Sequence, residues 1–269
     1  MREIASTLVT DGRSDRVLLH ILDWVWRQHG VMPRGEWFDP YRLPRRPSGL
    51  VDRLAQALRS FPCDVLMVHR DAEGQPPETR RQEIVSAVRQ AAVTDPHVCV
   101  VPVRMTEAWL LFNESAIRKA AGNPCGTQPL SVPPLRGIEG HPDPKRVLVG
   151  ALRTASGLAG RRLSKLNFGE ARHRLAEALT DYSPLRVLPA FQQLEADVQR
   201  FLAAGVTKEP LPNRRPAPRG DERLRGWRRR RRPPPPPPRR SGRGAHHSWG
   251  SQRARGRLRL PAPPAPVPR

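Results

Sequence analysis

The chain has 269 residues, room for one sizeable domain or two small ones. Its net charge of +22 points to a nucleic-acid partner, but the charge is uneven: residues 208–269 carry 19 Lys and Arg against 3 Asp and Glu, and the rest carries 28 against 22. The body is therefore only mildly basic, the three cysteines lack any zinc spacing, and no apolar run is long enough to span a bilayer, so the expectation is a soluble cytoplasmic protein without a membrane partner.

In chain order, the apolar run over residues 4–10 predicts a strand broken by Asp11-Gly12-Arg13. Ser14 then reads as an N-cap, and Val17, Leu18, Ile21, Leu22 and Val25 recur at helical spacing. A short second strand is predicted over 35–41, and a helix over 50–61 with Leu50, Leu54, Ala57, Leu58 and Phe61 on one face. Next come a strand over 65–69, a Pro-Pro loop, a helix over 78–92, a strand over 98–103 and a further helix after Thr106. Strand and helix alternate throughout, which predicts an α/β fold built on a doubly wound, mostly parallel sheet over residues 1–121. A Pro- and Gly-rich stretch follows from 122 to 144. Helical patterns resume over 144–156, 168–179 and 187–202, reading as a helical extension, residues 122–207, packed on the sheet. Residues 208–269 are Pro/Arg low complexity with few apolar side chains, and read as a disordered basic tail.

The chemistry sits where predicted strands end. The first strand delivers Asp11, with Asp15 just inside the next helix; the middle one delivers Asp71 and Glu73; the last delivers Glu107. In an open parallel sheet, ligands bind beyond the carboxyl ends of the strands. Carboxylates converging there suit Mg²⁺ or Mn²⁺, hard ions that take oxygen ligands and keep waters for a phosphate to displace. A pair of such ions about 3.5–4 Å apart can activate water and stabilise a leaving oxygen in phosphodiester cleavage. Each acid also has a plainer reading. Asp11-Gly12 suits a turn, and Asp15 and Glu107 suit a helix N-terminus. Asp71 and Glu73 are harder to explain by folding, because like charges one residue apart repel on leaving water. With continued extension both would point the same way. His69 shares their face and reads as a hydrogen-bonded core histidine; Arg70 faces the acids or the opposite helix layer.

These residues carry a family pattern. Asp11-Gly12-Arg13-Ser14-Asp15, then Asp71-Ala72-Glu73, then Glu107-Ala108-Trp109-Leu110-Leu111 resemble the metal-binding marks of a TOPRIM-like domain. That fold is shared by topoisomerases, primases and the overcoming-lysogenization-defect nucleases. The likeness is nearest to an uncharacterised bacterial branch, domain-of-unknown-function family 4276, and extends into the segment LSKLNFGEARHRLAEALTDYSPLRVLPAFQQLEADVQRFL. The resemblance implies a Mg²⁺- or Mn²⁺-dependent nuclease in bacterial defence. Asp71 and Glu73 would hold metal, with Glu107 as a third ligand and Asp15 completing the shell. Asp11 would hold metal or orient the attacking water, so the catalytic roles fall to Asp11 and Glu107. Arg13 would contact a phosphate near a helix N-terminus. DNA or RNA is the implied partner, with an ATPase encoded alongside as another. The chain departs from the pattern in two places. Asp11 stands where the superfamily has Glu, setting the carboxylate back by about 1.5 Å, and the later pair is Asp-Ala-Glu where the superfamily has Asp-x-Asp.

The competing expectation is a non-catalytic, metal-stabilised module that binds nucleic acid or a protein partner. A nucleotide-binding regulator is a third. The chain lacks both Gly-x-Gly-x-x-Gly and Gly-x-x-x-x-Gly-Lys-Ser/Thr, which argues against a Rossmann or P-loop site.

Overall fold

A computed structural model describes residues 2–205. The predicted tail lies outside the described residues. Four strands form one parallel sheet: β1 (Arg2–Val9), β2 (Val31–Phe38), β3 (Val65–His69) and β4 (His97–Val100), in the order β2-β1-β3-β4. The register pairs Ser6 with Gly35 on one side of β1 and with Val65 on the other. β3 is buried at every position, as a central parallel strand covered on both faces should be, and so it reads in sequence as an unbroken apolar run.

This order fixes the layers. The chain steps one way from β1 to β2, then crosses back past β1 to β3 and β4. With the right-handed crossovers that parallel strands favour, the first helix must cover one face and the next two the other. The apolar clusters follow that rule. Ile4, Leu8, Val65 and Met67 pack against α1 (Leu18–Gln28), while Val9, Leu66 and Val68 pack against α2 (Leu50–Ser60) and α3 (Pro77–Gln90). The result is the doubly wound α/β arrangement expected, with its switch point between β1 and β3.

The remaining described helices follow in chain order. They are α4 (Glu114–Ala120), α5 (Pro144–Ser156), α6 (Gly160–Ser164), α7 (Phe168–Ala178) and α8 (Pro189–Ala203). One apolar cluster runs from Ile4 through Trp109 and Leu175 to Val198, so the sheet, α4, α5, α7 and α8 share a single core, to which α6 contributes no buried residue. Aromatic edges stitch it: Trp109 meets Phe191 at 5.5 Å between ring centroids, and Trp24 meets Tyr182 at 6.1 Å. At the sheet's edge, Asp197 of α8 is buried and paired with Arg81 of α3, a helix of the opposite face, at 2.8 Å, and α8 lies along β4. That cover shields the edge strand. No helix among the described residues is long and apolar enough to cross a membrane.

Several bounds differ from the sequence reading. β2 runs over Val31–Phe38 and not 35–41, because pairing with β1 carries it through Pro33 and Gly35, residues that are poor strand formers on their own. β4 stops at Val100, although Ala72 still donates to the Pro102 carbonyl, so the β3–β4 pairing continues past the strand as a loop ladder. Ser14 does not cap α1. A 3₁₀ turn, Arg13–Val17, precedes the helix, and the Asp15 carboxylate accepts the Gly12 N–H at 3.1 Å. A second 3₁₀ turn, Thr106–Leu110, stands where a helix was expected. The short helix α4, capped by the Asn113 side chain, and α6 were not anticipated.

Candidate functional site

The carboxyl ends of β1 and β3 meet at the switch point, and the side chains there divide between the two faces of the sheet by strand periodicity. Along β3, Val65, Met67 and His69 face the α1 layer, while Leu66, Val68 and Arg70 face α2 and α3. This alternation sorts the whole site.

On the α1 side His69 is fully buried. Its Nε2 lies 3.0 Å from Asp71 Oδ1 and 3.1 Å from the Thr106 hydroxyl, and its Nδ1 lies 4.0 Å from Asp15 Oδ2. Burial opposes a charge on His69, but the hydrogen bond and charge of Asp71, with the charges of Asp15 and Asp11, outweigh it and raise its pKa. Asp15 is itself buried, and burial raises its pKa against the lowering influence of His69. Three carboxylates thus act on one buried imidazole. The hydrogen bonds to Asp71 all fall on Oδ1: His69 at 3.0 Å, the Thr106 N–H at 2.9 Å and the Thr106 hydroxyl at 3.3 Å. They hold the carboxylate in one orientation and leave Oδ2 without a hydrogen-bond partner among the described residues.

Asp11 turns toward the opposite layer. Its carboxylate pairs with Arg53 of α2 at 2.9 Å and with Arg70 at 2.8 Å, and Arg70 also reaches Glu83 of α3 at 3.6 Å. Of the two alternatives for Arg70, the second is found: it faces α2 and α3, where it meets Asp11 and Glu83 and not Asp71 or Glu73.

Glu73 does not join Asp71. The chain leaves extended backbone after Ala72: Glu73 has φ 51° and Gly74 φ 90°, so the Glu73 side chain swings out, largely exposed, to pair with Arg80 at 3.1 Å. The tight turn is pinned from β4, since the Glu73 N–H donates to the Arg104 carbonyl at 3.0 Å and Arg104 itself has φ 68°. Such left-handed residues are strained, and their clustering at the sheet's carboxyl end is typical of ligand-handling loops. Glu107 is buried on the α1 side, bound to Arg172 of α7 at 2.6 Å. Arg13 points to the end of β2, pairing with Asp39 at 3.4 Å and stacking on Tyr41.

Of the five acids expected to hold metal, then, Asp15 and Asp71 flank His69, Asp11 acts on it from across the sheet, and Glu73 and Glu107 are engaged elsewhere. Among the described residues no group of three or more His, Cys, Asp or Glu side chains stands close enough to share an ion as arranged. The donor chemistry of Asp11, Asp15 and Asp71 nevertheless suits a hard divalent cation: oxygen ligands on loops, at the carboxyl ends of adjacent strands. Glu73 and Glu107 do not fit, because each would have to leave an arginine in a different place.

Three site residues escape a reading of acids alone: His69 as the hub, Arg53 as the counterion of Asp11, and Arg172. The last had a signal. In FGEARHRLAEA, Arg172 sits between Ala171 and Leu175 on the buried stripe of α7, where a lone guanidinium needs a buried acid. Comparison with known families, with characterised proteins and with solved structures finds no match for the chain.

Proposed function

We propose that the protein is a divalent-metal-dependent phosphodiesterase, a nuclease by class, working at the β1–β3 switch point. The observation that carries the reading is the presentation of Asp71. Donors from His69 and Thr106 fix Oδ1, and Oδ2 is left for a ligand. The TOPRIM-like resemblance of the Asp11, Asp15 and Asp71 segments supports the same reading. These three residues would hold Mg²⁺ or Mn²⁺, which would polarise the phosphate and supply a hydroxide at neutral pH. Arg53 and Arg70 now neutralise Asp11. They are also the donors best placed for a substrate phosphate, and their transfer to it frees the Asp11 carboxylate as an oxygen ligand. His69 orients Asp71 through its hydrogen bond. Thr106 does so from the β4 side, tying the loops of both strands to one carboxylate. A role in bacterial defence beside an ATPase follows from the resemblance alone.

The test is cleavage of mixed single- and double-stranded DNA and RNA. Activity should require Mg²⁺ or Mn²⁺, stop with EDTA, and fall by about 100-fold or more in Asp71→Asn while Glu73→Gln retains it. Loss of activity in Glu73→Gln equal to that in Asp71→Asn would contradict the assignment.

One observation favours a second reading, a non-catalytic binding module: Asp11, Glu73 and Glu107 are already neutralised by arginines. A module of that kind retains nucleic acid in EDTA and in Asp71→Asn, and releases it steeply with salt.

A further inference from the structure

The loop that leaves β2 is basic and carries an aromatic ring. Residues 40–49, PYRLPRRPSG, hold Arg42, Arg45 and Arg46 and no acid. Arg13 joins them from the loop after β1. It meets Asp39, whose side chain is 8% exposed and is spent on three donors: Arg13 at 3.4 Å, Arg42 at 3.4 Å and the Tyr41 N–H at 3.0 Å. Arg45 has Asp52 of α2 within electrostatic reach. Arg46 makes no ion pair among the described residues and lies against the ring of Tyr41. The surface thus carries a positive excess that the fold leaves uncompensated.

Tyr41 is 43% exposed, and no other Tyr, Trp or Phe among the described residues is as open to solvent. Arg13 and Arg46 both stack on it, with guanidinium carbons 4.7 and 4.8 Å from the ring centroid. Two like charges on one exposed ring repel, and such stacks are weak in water. Both are easily exchanged: phosphates take the guanidiniums and a nucleobase takes the ring face. The mount is stiff. Pro40 is buried, Asp39 caps the 3₁₀ turn Pro40–Arg42, and Pro44 and Pro47 fix φ further along the loop. An aromatic held in place beforehand loses little freedom on binding.

The surface stands beside the switch point. β2 runs parallel to β1, so its loop lies at the same end of the sheet. Arg13, two residues from both Asp11 and Asp15, ties the two loops together through Asp39.

We propose that Tyr41, with Arg13, Arg42 and Arg46, binds single-stranded nucleic acid, one base stacked on the ring and the flanking phosphates on the arginines. A duplex keeps its base faces inside the stack and offers this surface phosphates alone. An acidic peptide would engage the arginines and leave the ring idle. The inference deepens the nuclease reading by naming a single strand as substrate, and rests on that reading only for the strand being cut.

A photo-crosslink reads this surface apart from every other basic segment, the one beyond Thr207 included. Short oligothymidylate carrying 5-iodouracil is irradiated on the full chain, with EDTA keeping the strand intact, and the adduct is located by peptide mass spectrometry. A saturable adduct on Tyr41 is expected. Annealing the strand to oligodeoxyadenylate should lower it about tenfold or more, since the base face is then occupied. Arg46→Glu, a change at an exposed position, should lower it by a similar factor; the duplex comparison needs no variant. Poly-glutamate should compete about tenfold less well than unlabelled oligothymidylate of equal charge. A Tyr41 adduct in a chain that cleaves nothing with Mg²⁺ or Mn²⁺ supports this surface and removes the nuclease reading; cleavage without a Tyr41 adduct does the reverse. No adduct at Tyr41, an equal adduct with duplex, or equal competition by poly-glutamate overturns the proposal.

Discussion

At the scale of single residues, the protein spends its buried charges in two ways. Near the switch point, His69 offsets the burial of Asp15, and Asp71 and Asp15 offset the burial of His69. On α1, Asp23 has no such partner. Burial raises its pKa to about 6, with Arg27 only partly opposing, and its carboxylate sits against β2 where Gly35 leaves room: a Cβ on Gly35 would stand 3.2 Å from Asp23 Oδ1. For an acid with a raised folded-state pKa, the folded state holds the extra proton, so stability falls as pH rises from about 4 through 6 and the penalty is complete above that. Asp23→Asn should therefore match the parent in melting temperature at pH 3.5. Between pH 4 and 6 it should gain, reaching about 1 kcal/mol at pH 7.5, a figure discounted for the partial solvation of the carboxyl. A gain equally large at pH 3.5 would assign the effect to something other than ionisation.

At the scale of elements, the sequence was most legible where burial makes the pattern simple. β3 matches the sequence reading at both ends because a two-faced central strand has no polar positions to confuse it. α5 matches too, with Pro144 at its start and Gly157 (φ 63°) at its end. β2 was misplaced because its strand character comes from β1 rather than from Pro33 and Gly35. Asp15 and Asp71 were legible as acids at strand ends. The fate of Glu73 was not, since it turns on a left-handed backbone set by a hydrogen bond to Arg104, distant in sequence. Nor was the binding of Glu107 to Arg172, which needs α7 docked on the sheet. The neighbouring helix α8 packs on the 106–110 turn through aromatic rings, and its docking can be tested there. Trp109 is fully buried against Phe191. Trp109→Ala should cost about 3–5 kcal/mol in denaturant unfolding, and should loosen α8 as well as the 106–110 turn in hydrogen exchange. A change below 1 kcal/mol would mean that the extension is held by something else.

At the scale of the whole molecule, the core lies within residues 4–198, and 19 of the 47 basic residues lie beyond Thr207. A chain ending at Thr207 should keep its melting temperature within about 2 °C and its metal-dependent cleavage, while the salt dependence of nucleic-acid retention becomes shallower. Cleavage abolished by the truncation would bring the basic segment into the mechanism. The central claim is that Asp11, Asp15 and Asp71, at the carboxyl ends of β1 and β3, hold a divalent ion. Electron paramagnetic resonance of Mn²⁺ titrated into the protein measures this without needing a substrate. The account predicts saturable binding by the parent chain and by Glu73→Gln, weakened about tenfold or more in Asp71→Asn and in Asp15→Asn. Mn²⁺ bound with equal affinity by Asp71→Asn, or not bound by the parent chain at all, would contradict it.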